Sequence, residues 1–279
     1  MLTIEESIKL ALEEDLGDGD HTSLSTIPAD SRGKARLVAK EDGILAGVRI
    51  AEMVYQMVDP ETTLEIFISD GQKIKVGDVI FNVSGKSISI LSAERLALNF
   101  MQRMSGIATK THEYMQLISG TKTQLLDTRK TTPLMRLLEK EAVALGGGTN
   151  HRMGLYDMIM IKDNHVDFAG GIINAVDACQ EYLKKKNKNL KIVIEIRSFE
   201  ELQTVLKHGG VDRVLLDNFV PSAIKEALEM IDGRLESEAS GGITEKTIRS
   251  YAETGVDFIS VGALTHHIKS LDLSLQAIA

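Results

Sequence analysis

The chain has a single cysteine, Cys179, so it can form no internal disulfide. That thiol sits among Ala175, Val176, Ala178, Tyr182 and Leu183, an apolar-periodic stretch where a buried structural role is expected. No run of about 18 apolar residues occurs, which argues against a membrane-spanning helix. Positive charge is also scarce: 32 Lys and Arg stand against 40 Asp and Glu, a net charge of −8. Binding to nucleic acid or to an anionic membrane is therefore not expected, and any cluster of cations must be local. There is no low-complexity linker and no Gly-x-Gly-x-x-Gly dinucleotide fingerprint. The opening segment, MLTIEESIKLALEEDLG, is acidic and amphipathic, unlike a signal or transit peptide. The expectation is a cytoplasmic protein.

What is present is a globular balance. The 279 residues are 43% apolar and 26% charged, enough for one large domain or two smaller ones. Residues 1–86 mix a helix, Leu2 to Leu16, with strand-like segments. Thr3 and Glu6 have the spacing of a capping box. Lys34 to Lys40 alternates as a strand, Ile50 to Val58 reads as a helix, and Thr63 to Val83 reads as short strands turned at Asp70-Gly71 and Gly77-Asp78. A long helix follows from Ile90 to Ile118, with Gly106 expected to bend or break it.

From Lys122 the pattern becomes regular. Apolar strands are expected at Thr123–Leu126, Met158–Ile161, Ile192–Ile196, Val214–Leu216, Leu235–Ala239 and Phe258–Val261. Helices are expected over 133–145, 171–186, 198–208, 221–231 and 244–254. Repeated βα units with near-continuous apolar strands mean an α/β fold with a covered parallel sheet. Six of them favour a barrel-like domain over a doubly wound sheet. The expected division is residues 1–105 and 106–279, meeting at a packing boundary.

Each strand runs into a polar or glycine cluster. Asp127-Thr128-Arg129-Lys130 follow the first, Lys162-Asp163-Asn164-His165 the second, Glu195 and Arg197 the third, and Asp217-Asn218 the fourth. Ser240-Gly241-Gly242 end the fifth, and Val261-Gly262-Ala263 the sixth. In barrels of parallel strands the active site lies at this C-terminal face. Arg129, Lys130 and Lys162, with His151-Arg152 after the glycine run 146–148, suit a substrate carrying several anionic groups. Glu195 and Asp217 suit a hard divalent cation such as Mg²⁺ held together with substrate phosphates, or else a pair of structural salt bridges. Two glycines between a strand and a helix expected from Thr244 have the form of a phosphate site, with Gly262-Ala263 as its other half.

In order along the chain, these segments resemble the quinolinate phosphoribosyltransferases. The resemblance runs through Glu14-Asp15-Leu16-Gly17, Gly19-Asp20-His21-Thr22-Ser23, Glu94-Arg95, Ser105-Gly106-Ile107-Ala108-Thr109 and Asp127-Thr128-Arg129-Lys130-Thr131. It continues through 146–152, Ile161-Lys162-Asp163-Asn164-His165, Leu216-Asp217-Asn218 and Ser240-Gly241-Gly242-Ile243. It implies transfer from phosphoribosyl pyrophosphate to quinolinate, giving nicotinate mononucleotide, pyrophosphate and CO2, with Mg²⁺ bound. It also implies an N-terminal open-faced α/β sandwich beside the barrel-like domain. By the same resemblance, Arg129, Arg152 and Lys162 hold the two quinolinate carboxylates, with His151 beside them. Thr128, Lys130, Glu195 and Asp217 face the ribose and pyrophosphate, Glu195 and Asp217 as the metal-holding pair. Ser240, Gly241, Gly242, Val261, Gly262 and Ala263 take the 5′-phosphate, and Lys130, Lys162, Glu195 and Asp217 form the catalytic set.

Arg95 resembles an arginine supplied by a partner subunit, which implies a homodimer or a hexamer of dimers. On spacing alone it could equally be part of a solvated stripe with Asn99 and Arg103. The chain departs from the family pattern at Leu134, where a glycine is expected, near Glu141, where an aromatic is expected, and at Arg197, where an acid is common. Two rival readings remain open from the residues themselves. One is a Schiff-base aldolase using Lys162; the other is a related phosphoribosyltransferase acting on a different base. A non-catalytic binding module in the 63–83 hairpins is a third and weaker reading, because no lysine there stands at a hairpin tip.

Overall fold

In the computed structural model, which describes residues 2–278, Thr3 Oγ1 accepts from the Glu6 N–H at 3.1 Å and Glu6 Oε2 accepts from the Thr3 N–H at 2.7 Å. This reciprocal pair starts α1 (Ile4–Leu16). Then come α2 (His21–Thr26), β1 (Arg32–Ala39), β2 (Gly43–Ile44), α3 (Val48–Val58), β3 (Thr63–Ile66), β4 (Lys73–Ile74), β5 (Val79–Lys86) and α4 (Ser87–Leu117). The alternating part comprises β6 (Gln124–Leu126), α5 (Arg136–Leu145), β7 (Ile159–Ile161), α6 (Asp163–Ala169), α7 (Ile172–Lys186), β8 (Ile192–Ile196), α8 (Phe199–His208), β9 (Arg213–Asp217), α9 (Pro221–Ile231), β10 (Glu236–Ser240), α10 (Ile248–Ala252) and β11 (Phe258–Ser260). The chain ends in α11 (Ala263–His266) and β12 (Leu273–Ile278).

These elements form two compact units, and the chain crosses between them more than once. The first contains the chain up to His112, Thr131–Gly147, and everything from Ala263 on. The second contains Glu113–Lys130 and Gly148–Gly262. Strand β12 pairs antiparallel with β1 from Lys34↔Ile278 to Ala39↔Leu273 and so returns the last strand to the first unit.

The first unit is built on an antiparallel sheet of order β12-β1-β5-β3. Helix α3 buries Val48, Ile50, Ala51, Val54 and Tyr55. The Tyr55 ring meets Phe81 of β5 edge-on, centroids 6.2 Å apart. This is the α/β sandwich expected of the N-terminal part. Gly106 does not break α4, which runs unbroken through it. A Cβ there would collide with the Lys269 carbonyl oxygen, so this glycine serves close backbone approach.

Within the same unit the Glu139 carboxylate is fully buried. Its Oε1 accepts from Arg103 Nε at 2.8 Å and Nη2 at 2.6 Å, and its Oε2 accepts from the Thr132 N–H at 3.1 Å. Arg103→Ala would strand that charge. We expect the variant to lose about 3–5 kcal/mol of stability in urea unfolding; a loss below about 1 kcal/mol would contradict the assignment.

The second unit is a parallel sheet of order β6-β11-β10-β9-β8-β7. Strands β7 to β11 lie side by side in chain order, with β6 added next to β11. Sequential order of this kind is barrel-like; a doubly wound sheet would reverse direction at a switch point. β6 and β7 are the two edges, and a single parallel bridge, Leu126↔Thr149, extends the β6 edge. β8 is buried along its whole length, as expected for a strand covered on both faces. Cys179 is half-buried on α7, and burial pushes its thiol up, which favours the unreactive form. Among the described residues no helix is long and apolar enough to cross a membrane.

Candidate active site

Alternation along a strand decides which side chains share a face. Glu195 of β8 and Glu238 of β10 both stand in register with Leu215 of β9. Asp217 and Ser240 stand in register two residues further toward the C-terminal ends. One face of the second unit's sheet thus carries Arg213, Leu215 and Asp217 on β9, Glu236, Glu238 and Ser240 on β10, and Glu195 on β8.

Lys162, directly after β7, sends its Nζ to Glu195 Oε2 at 2.7 Å. Its backbone N–H donates to His165 Nδ1 at 2.9 Å, which fixes the turn into α6. That short helix is absent from the sequence expectation, because seven residues are too few to show a periodic apolar stripe. Burial, and then the neighbouring Glu195 carboxylate, pushes the Asp217 carboxyl above its ordinary value. The Asn218 hydrogen bond and Lys162 oppose that rise, and Asp163 adds to it. Lys162, Glu195, Asp217 and Asp163 therefore form one electrostatically coupled group.

Asn218 ties this group to the glycine loop. It adopts a left-handed φ of 58°, donates from Nδ2 to Asp217 Oδ2 at 2.7 Å, and donates its backbone N–H to the Ser240 carbonyl at 2.9 Å. Gly241 and Gly242 have φ of 95° and 61°. A Cβ on Gly241 would collide with Asn218 Oδ1 and lie 2.9 Å from the Asn218 backbone nitrogen. Glycine is thus required by packing as well as by φ. The helix expected from Thr244 begins at Ile248 instead. The Thr244 N–H donates to Thr247 Oγ1 and the Thr247 N–H to the Thr244 carbonyl, forming a turn where the helix was expected. The loop consequently offers glycine N–H groups, without the helix end that the sequence suggested.

The cationic group is anchored by Asp127, fully buried at the end of β6. Its Oδ1 accepts from the His151 N–H at 2.8 Å and its Oδ2 from Asn150 Nδ2 at 2.7 Å. His151 and Arg152 are both buried. Arg152 Nη1 donates to the Met158 carbonyl at 3.2 Å. Burial, and then the positive charge of Arg129, pulls the Arg152 guanidinium below its ordinary value. Arg129 and Arg152 are therefore close enough to feel one another, which suits recognition of an anion. Behind them Glu238 is fully buried, its Oε2 3.2 Å from His151 Nε2 and 3.0 Å from Arg213 Nη1. Burial alone would raise the Glu238 carboxyl; the close approach of His151, then Ser260 and Arg213, hold it below the usual carboxylate range.

The remaining expected residues lie as follows. Thr128 Oγ1 accepts from the Lys130 N–H at 3.1 Å, and Arg129 and Lys130 are exposed at the β6 end. Val261 is buried and donates its N–H to the Leu126 carbonyl; Gly262 ends the second unit, and Ala263 opens α11 in the first. Arg95 is exposed on α4 in the first unit. Of the three departures, Arg197 engages Glu201 at 2.9 Å and Asp167 at 3.4 Å. Glu141 holds Arg49 at 2.9 and 3.0 Å, and Leu134 takes a left-handed φ of 65°, the conformation a glycine would favour. Among the described residues no three His, Cys, Asp or Glu side chains converge as a metal cage.

Sequence reading did not single out roles for Asp127, Asp163, Arg213, Asn218 and Glu238. For Arg213 and Glu238 the available signal was charge inside strands of a covered sheet: Arg213 opens Arg-Val-Leu-Leu-Asp, and Glu236 and Glu238 share one face of β10.

Comparison with known proteins gives concordant matches. Residues 20–105 match the family described as quinolinate phosphoribosyl transferase, N-terminal domain, and residues 107–276 match its C-terminal domain. The chloroplastic nicotinate-nucleotide pyrophosphorylase [carboxylating] of Arabidopsis thaliana is 47% identical, over 96% of this chain and 81% of that protein. The solved nicotinate-nucleotide pyrophosphorylase of Francisella tularensis is 41% identical with a TM-score of 0.93, covering 99% of this chain and 96% of that one. The solved NadC of Streptococcus pyogenes is 36% identical with a TM-score of 0.94, covering 100% and 99%.

Proposed function

We propose, from the premise that the chain belongs to the quinolinate phosphoribosyl transferase family, a division of labour among its strand-end residues. The reaction is decarboxylating phosphoribosyl transfer: quinolinate and phosphoribosyl pyrophosphate give nicotinate mononucleotide, pyrophosphate and CO2. The observation that supports the division is the Lys162–Glu195 pair at 2.7 Å, which joins a cation suited to a carboxylate with an acidic pair suited to the ribose end.

Arg129, Arg152 and Lys162 hold the two quinolinate carboxylates. Ser240, Gly241, Gly242 and Gly262 take the 5′-phosphate, the glycines through backbone N–H groups. Thr128 and Lys130 face the pyrophosphate side. The pyridine nitrogen bonds to C1 of the ribose as the C1–oxygen bond to pyrophosphate breaks. Glu195 and Asp217 face the positive charge that develops at the sugar. The ring–carboxylate bond then breaks as CO2 departs, its electron pair stays on the ring carbon beside the now cationic nitrogen, and that pair takes a proton. Positioning supplies most of the catalysis.

Glu195 and Asp217 also fit Mg²⁺. They are hard oxygen donors, burial and then the neighbouring Glu195 push the Asp217 carboxyl up, and Mg²⁺ is commonly held by one or two carboxylates with substrate phosphates and water. When bound, Mg²⁺ would supply charge to neutralise the departing pyrophosphate.

In this reading the protein is cytoplasmic, and a homodimer or a larger assembly of dimers completes each site with Arg95 from the partner subunit. Mixing Arg95→Ala with Lys162→Ala subunits tests that arrangement. Each variant alone should be nearly inactive. The mixture should recover about a quarter of wild-type activity, since half of the dimers are mixed and each keeps one intact site. A mixture no more active than its parents would contradict a trans arginine.

A further inference from the structure

His151 belongs to the substrate-carboxylate group by position, yet the structure gives its ring other partners. Nδ1 accepts the backbone N–H of Arg152 at 2.7 Å, so Nδ1 carries a lone pair and no proton. The ring proton therefore resides on Nε2, which faces the buried carboxylate of Glu238 at 3.2 Å. A lone pair on Nε2 would face that carboxylate unfavourably. Protonating Nδ1 as well would turn its N–H against that of Arg152. The arrangement selects the tautomer with its proton on Nε2. Glu238 is itself held: Arg213 Nη1 donates to the same Oε2 at 3.0 Å. Arg213 in turn donates twice to Glu236 Oε2, at 3.0 and 2.9 Å, and its guanidinium lies 3.8 Å from the Phe258 ring centroid. The backbone of His151 is fixed independently by Asp127.

We propose that Arg213, Glu238 and His151 form a positioning relay that fixes the backbone of Arg152, so that Glu238 and Arg213 support the quinolinate site through the His151 ring. The proposal rests on the assignment of Arg152 to the quinolinate carboxylates. It makes Glu238 and Arg213, which lie below the strand ends, determinants of selectivity for the dicarboxylate partner alone. The phosphate loop and the Glu195–Asp217 pair do not depend on the relay.

Steady-state kinetics with the full-length protein tests it, varying quinolinate and phosphoribosyl pyrophosphate separately in wild type, Glu238→Gln, His151→Ala and the double variant. Glu238→Gln keeps side-chain size and should raise the quinolinate KM about tenfold. The phosphoribosyl pyrophosphate KM should stay within about twofold and kcat within about threefold on the same grounds. In the His151→Ala background, Glu238→Gln should add nothing further, because it acts through that ring. Should Glu238→Gln lose its cooperative melting transition, Arg213→Lys, which keeps the charge but gives up the fork, carries the same selective loss.

Equal effects on both substrates, or multiplying effects in the double variant, would each overturn the relay. Wild type assayed in parallel separates the two layers. No quinolinate turnover by wild type would remove the reaction and the relay together, whereas normal turnover with an unselective Glu238→Gln would remove the relay alone.

Discussion

Lys162→Ala is expected to lower kcat by about 10²–10³-fold while leaving the fold intact. Lys162 ends β7, and nearly half of its side chain is exposed, so packing loses little when it is cut back. Its charge has two tasks in this account. It holds a quinolinate carboxylate when substrate is present, and it balances the Glu195 side of the acidic pair, which it meets at 2.7 Å. Loss of one preoriented charge at the reacting centre typically costs about 3–4 kcal/mol of transition-state stabilisation, which is that fold-change. The drop should appear in kcat/KM for both substrates, because the residue serves both ends of the reaction. A near-native kcat/KM in a folded Lys162→Ala protein would remove Lys162 from the catalytic set.

Asp217→Asn is expected to lower kcat by about 10²-fold and to raise the Mg²⁺ concentration needed for half-maximal rate. The change keeps shape and removes one negative charge from beside Glu195, the carboxylate that, after burial, raises the Asp217 carboxyl. The sign of the pH effect follows. The Asp217 carboxyl is pushed above its ordinary value by burial and by Glu195, so it protonates on the acid side sooner than a free carboxylate. Wild-type activity should fall there as the metal-holding charge is lost. The asparagine variant lacks that titrating group, so this part of the acid-side loss should be absent from its profile. A Mg²⁺ titration is the direct check; an unchanged half-saturation point would remove Asp217 from the metal-holding pair.

The division of legible and illegible features has physical causes. Strands β6 to β11 could be read because a covered parallel sheet demands apolar runs, and their polar endings marked the site face. Arg129, Lys162, Glu195 and Asp217 all stand at such endings. β12 could not be assigned, since a short alternating tail says nothing about which sheet it will join; only the pairing with β1 reveals it. Gly106 looked like a helix breaker, yet in α4 it answers to the carbonyl of Lys269, far away in sequence. Thr244 had the character of a helix start, but its hydrogen bonds with Thr247 close a turn first. The Arg213–Glu238–His151 contacts join two strands and a loop, so no local spacing announces them. The charges themselves were visible, and a charge in a strand interior that needs a buried partner is the trace they leave in the sequence.

The most direct test of the central claim uses quinolinate carrying a labelled carbon in the carboxylate next to the ring nitrogen, incubated with phosphoribosyl pyrophosphate, Mg²⁺ and the wild-type protein, with nicotinate as a parallel substrate. The account predicts one labelled CO2 released for each nicotinate mononucleotide formed, and negligible product from nicotinate, which offers one carboxylate to a site equipped with Arg129, Arg152 and Lys162. Nucleotide formed from nicotinate at a comparable rate, or nucleotide formed from quinolinate without matching CO2, would contradict it.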